Sequence, residues 1–139
     1  MAVQFTMDVS VDGQTVILRT NGYLNNVAGE SIAEECYKQI DDGKVNFLLD
    51  LTHTKMVNSI GVSILIEIIE KLQDVDGKLG YCNLAPIVEK TFNIMGITQY
   101  SQVFASEEEG LSDLVESGNS FFLWKKASQE PINLESAYI

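Results

Sequence analysis

At roughly 100–200 residues per domain, a chain of 139 residues is one domain, which excludes a multidomain enzyme. Its 45% hydrophobic and 21% charged residues make a globular composition and set aside disordered and collagen-like chains. Nine Lys and Arg against twenty Asp and Glu leave a formal charge of −11, which repels phosphate backbones and anionic lipid, so neither nucleic acid nor membrane is an expected partner. Residues 1–10 have no basic n-region or apolar h-region, and no run approaches the roughly eighteen apolar residues of a membrane span. A cytoplasmic location is expected.

Residues 3–9 alternate apolar and polar and residues 15–20 are β-branched and apolar, with Asp12-Gly13 between them; this predicts a hairpin. From Ala28 to Ile40, Ile32, Cys36 and Ile40 recur at helical spacing before Asp41-Asp42-Gly43, predicting an amphipathic helix and its stop. Val45 to Leu51 is a nearly continuous apolar run, as expected of a central strand covered on both faces. A helix over 60–74, a strand over 78–84, a helix over 86–95, a short strand over 102–105 and a helix over 107–116 follow. The fold class is α/β: a single mixed sheet with an opening antiparallel hairpin, then alternating strands and helices, about five strands and four helices in all. Composition shifts near Ser117-Gly118-Asn119, so a domain over 1–118 and an extension over 119–139 are expected. The run Phe121 to Trp124 is expected to pack on the domain, because exposing four large apolar residues is costly.

Chemistry-bearing residues are sparse. Cys36 and Cys82 are too far apart in sequence for a recognisable metal motif and read as buried small hydrophobes. The lone His53 makes no metal site or triad. No cofactor, metal or enzymatic activity is expected.

The informative stretch is Asp50 to Gly61, a buried strand feeding a loop and a helix start. Asn58 and Ser59 are good N-cap residues for that helix. The same free amides favour an anion, so a phosphate on a hydroxyl here would be tolerated. Projected at 100° per residue, Ser63, Glu67, Glu70 and Asp74 share a polar stripe, while Val62, Leu65, Ile69 and Leu72 lie opposite. Ile60 falls on the polar stripe. Such a residue is either an incidental surface hydrophobe or, beside a candidate switch serine, part of a docking surface.

In its order of elements the chain resembles the STAS domain of anti-sigma factor antagonists over roughly residues 3–117. The resemblance rests on the opening hairpin, Gly22-Tyr23-Leu24-Asn25, the strand ending Leu49-Asp50-Leu51, Asn58-Ser59-Ile60-Gly61 before an apolar helix, and Phe104-Ala105-Ser106 followed by Glu107 to Leu111. It implies a non-enzymatic regulator of transcription that binds an anti-sigma factor which is also a GHKL-type serine kinase. The family motif is Asp-Ser-Ser-Gly or Asp-Ser-Thr-Gly, with phosphate accepted just before the glycine. Here Asn58 stands at the Asp and Ile60 at the acceptor, which leaves Ser59 as the phosphorylation candidate and Ser63 as a weaker one. The partner-binding residues implied are Asn25, Asn58, Ser59, Ile60, Gly61 and Ser63, and a homodimer is also compatible. A non-phosphorylated scaffold or a small-molecule-binding STAS module is the alternative. A receiver domain built on Asp50 lacks the paired acids and the lysine it needs, and Asp50 with Glu67 makes a poor acid/base pair.

Overall fold

In the opening hairpin, Asp12 pairs with Thr15, leaving a two-residue loop of Gly13 and Gln14. Gly13 takes φ +62°, the left-handed conformation that a type II′ hairpin demands at its first loop position. The computed structural model describes residues 4–114. Strands β1 (Thr6–Asp12) and β2 (Thr15–Asn21) lead to helix α1 (Asn26–Asp41), strand β3 (Asn46–His53), helix α2 (Ser59–Gln73), strand β4 (Lys78–Cys82), helix α3 (Pro86–Ile94) and strand β5 (Gln102–Phe104). A 3₁₀ turn, Ile97–Gln99, precedes β5, and the backbone is helical again from 107 to 114, which we label α4. The expected helix over 107–116 therefore holds as far as the described residues reach. The boundary at 118 and the packing of Phe121 to Trp124 lie outside them.

The five strands form one sheet in the order β1-β2-β3-β4-β5. β1 is antiparallel to β2, and every later pair is parallel. This is the mixed sheet expected from the alternating pattern. β1 begins at Thr6 and runs on to Asp12, later at both ends than the alternation in 3–9 suggested, because its pairing with β2 extends from Thr6↔Asn21 to Asp12↔Thr15 beside the turn.

The period of two along each strand divides the core. Val16 and Leu18 of β2, Phe47, Leu49 and Leu51 of β3, and Leu79 and Tyr81 of β4 pack in one cluster with Ile32, Leu65, Ile69 and Phe92 of the first three helices. On the other face Leu48, Cys82 and Phe104 meet Leu114 of α4. β3 thus has both faces covered, which is why it reads as a continuous apolar run. The ring of Tyr81 meets Phe92 edge-on at 4.9 Å, a favourable aromatic geometry. Both cysteines are buried, and burial pushes their thiols up, making them poor nucleophiles.

Candidate functional site

Beyond their regular pairing, β2 and β3 remain tied where they feed α1 and α2. The Gly22 amide donates to the His53 carbonyl at 3.1 Å, Leu24 to Met56 at 2.9 Å, and Asn58 to Leu24 at 3.0 Å. Leu24 and Val57 form a parallel bridge. Two loops distant in sequence thereby become one short ribbon, and the helix starts they lead into are fixed side by side.

Each start is capped by an asparagine. Asn25 Oδ1 accepts from the Ala28 amide at 3.0 Å, and Asn58 Oδ1 accepts from the Gly61 amide at 2.8 Å; both satisfy donors that the first helical turn leaves unpaired. Gly61 is buried beneath the ribbon, where a Cβ would lie 2.4 Å from the Leu24 carbonyl oxygen and 3.1 Å from that of Asn25. Its contribution is close approach, not a surface side chain. Ser59 is exposed in the first turn. The Ser63 hydroxyl donates to the Ser59 carbonyl at 2.8 Å, leaving the Ser59 side chain as the nearer hydroxyl to the helix start. Ile60 is 55% exposed on the polar stripe where helical projection placed it.

The structure therefore gathers Asn25, Asn58, Ser59, Ile60, Gly61 and Ser63 around one end of the sheet. It adds exposed Tyr23, Val27 and Met56, which the sequence reading did not single out. Tyr23 and Met56 carry no periodic signal because they stand in loops, and Val27 stands at the edge of the α1 pattern.

A second polar group lies on the opposite face. Arg19 grips Glu107 of α4 through two bonds of 2.8 Å, and its other nitrogen donates to Ser10 at 2.6 Å. This charge-assisted fork holds the start of α4 to the sheet. Asp50 is only 9% exposed and accepts from the Thr52 amide at 3.0 Å, the Thr52 hydroxyl and Asn83 Nδ2 at 3.2 Å. Burial opposes its charge, but the hydrogen bonds from the Thr52 hydroxyl and amide and from Asn83 favour it, and the carboxyl is held low, at about 2. A carboxyl held below its ordinary 3.8 contributes stability that is present above that value and lost as pH falls through about 2. Acid unfolding followed by circular dichroism should show Asp50→Asn to be less sensitive than the parent between about pH 4 and pH 2. Equal pH dependence of the two would contradict the assignment.

Among the described residues no group of three or more His, Cys, Asp or Glu is placed to hold a metal, and no helix is long and apolar enough to cross a membrane.

A single mixed sheet opened by a hairpin, with a capped, partly apolar helix start beside a conjoined loop, defines the STAS fold. The STAS domain family profile matches residues 6–110. A Bordetella bronchiseptica protein, by name the anti-sigma factor antagonist BtrV, is 30% identical over 106 residues, covering 76% of this chain and 90% of its own. An anti-sigma factor antagonist from Mycobacterium paratuberculosis superimposes with a TM-score of 0.71 at 16% identity, covering 82% of this chain and 98% of that one. The Bacillus cell fate determinant SpoIIAA in its phosphorylated form does so with a TM-score of 0.61 at 24% identity, covering 78% and 97%. The chain belongs to the STAS domain family of anti-sigma factor antagonists, which are regulatory binding proteins.

Proposed function

We propose that this chain binds an anti-sigma factor, one that is also a GHKL-type serine kinase, and so releases a sigma factor for transcription without catalysing a reaction itself. The contact would be made by the end of the sheet that carries Asn25, Asn58, Ser59, Ile60 and Ser63, with Gly61 holding the two loops together. The observation that carries this reading is an exposed isoleucine in the first turn of α2, beside an exposed serine, on loops locked by backbone hydrogen bonds. A preorganised apolar contact loses little freedom on binding. The working unit would be residues 1–118 and the setting cytoplasmic.

If the kinase modifies its antagonist, Ser59 is the acceptor. Its phosphate would sit at a helix N-terminus, where free amides and the helix dipole stabilise it. Incubation with the purified anti-sigma factor and ATP, followed by phosphopeptide mapping, is expected to place the modification on Ser59. Modification at Ser63 alone would overturn that assignment. Ile60 at the family's usual acceptor position favours a second reading, an antagonist that binds without being switched, and complex formation with no phosphopeptide would select it.

A further inference from the structure

Helices α1 and α2 pack against one another, with Gly29 of α1 against Ile64 of α2. Val27 and Ile60, 59% and 55% exposed, occupy equivalent positions in the first turns of these two helices. Past them, each helix turns carboxylates outward. Glu30 and Glu34 lie one turn apart on α1, and Glu67 and Glu70 project from α2, all four exposed. Tyr37, one turn beyond Glu34 on α1, packs against the core, and burial together with the nearby charges of Glu67 and Glu70 on α2 pushes its hydroxyl up. None of the four carboxylates takes part in an ion pair among the described residues. Lys38 and Lys71 are the cations on the two helices, and neither is spent on them.

We propose that the docking surface extends from the apolar pair Val27 and Ile60 along the α1/α2 ridge, and that its occupant is a basic face of the anti-sigma factor, an apolar pocket bordered by Lys and Arg. This deepens the binding role proposed above and rests on it. Charge complementarity selects the occupant. Four carboxylates that are unpaired among the described residues, beside an apolar anchor, repel one another and any acidic surface, and a cationic rim relieves that repulsion while the anchor is desolvated. A second copy of this chain, with the same acidic ridge, is disfavoured. The ridge serves encounter and choice of partner, whereas the apolar pair sets the lifetime of the complex.

The test is association kinetics with the purified GHKL-fold anti-sigma factor of the source organism, measured across ionic strength. Glu67→Lys with Glu70→Lys should lower the association rate about tenfold at low salt and flatten its salt dependence, with dissociation changed less than about threefold. The milder pair Glu67→Gln with Glu70→Gln should give an intermediate effect. As a control for total charge, Glu108→Lys with Glu109→Lys makes the same change on α4, across the sheet, and should leave the salt dependence near that of the parent. An unaltered salt dependence in the α2 variants, or an equal effect from the α4 pair, overturns the inference. Loss of binding in Ile60→Lys alongside unaltered kinetics in the charge variants would sink the basic partner face while sparing the docking site. Unaltered binding in all of them would sink both.

Discussion

Replacing Gly61 with alanine is expected to destabilise the protein by about 2–3 kcal/mol, lowering its melting temperature by about 10 °C. The sign is diagnostic, because alanine in a helix normally stabilises relative to glycine by up to about 1 kcal/mol. Gly61 is in the helical first turn of α2 and has no positive φ, so its backbone does not need glycine. The space around it does. An added Cβ would stand 2.4 Å from the Leu24 carbonyl oxygen and 2.9 Å from its carbon, and these are main-chain atoms that cannot rotate aside. They belong to the same residue that accepts from the Asn58 amide and bridges to Val57. Relief of the clash would therefore part the two loops as well as shift α2. Thermal unfolding followed by circular dichroism reads the result, and a variant as stable as the parent would show that the ribbon does not hold the site together.

The contrast between elements shows what a one-dimensional pattern transmits. β3 is legible because a strand buried on both faces needs an unbroken apolar run, and α2 because one water-facing stripe fixes the rotation of the whole helix. The exposure of Ile60 follows from that rotation alone. The cap at Asn58 is legible because capping is a local interaction between a side chain and an amide three residues on, and Asn25 caps α1 by the same local bond. Long-range polar pairing leaves no such trace. Arg19 meets Glu107 across 88 positions, and nothing in the sequence near either residue announces the other. Asp50 likewise carries no local mark of its partner Asn83, which takes the left-handed conformation at φ 59° and donates its amide to the carboxylate from 33 positions away. The part played by Gly61 is hidden for the same reason: its neighbour in space is a carbonyl from a different loop.

Ile60→Lys should weaken binding to the anti-sigma factor by more than about 1 kcal/mol, a loss of at least several-fold in affinity, because a desolvated contact would have to accommodate a charge. Folding stability should change by no more than about 0.5 kcal/mol, since the residue is exposed and lies outside both core clusters. Lysine is as good a helix former as isoleucine or better, so the helix itself is not put at risk. Ile60→Ala separates loss of apolar contact from the introduced charge: it should weaken binding less than lysine does, chiefly through faster dissociation. The same contact would explain how a phosphate on Ser59 acts. Against a basic partner face its charge alone would attract, so any loss of binding must come from the hydrated group holding the surfaces apart at Ile60, one residue away. Calorimetric titration of parent and Ile60 variants against the anti-sigma factor, with melting temperatures measured on the same samples, decides the matter. Unchanged affinity with a lowered melting temperature would place Ile60 in the core and remove it from the docking surface.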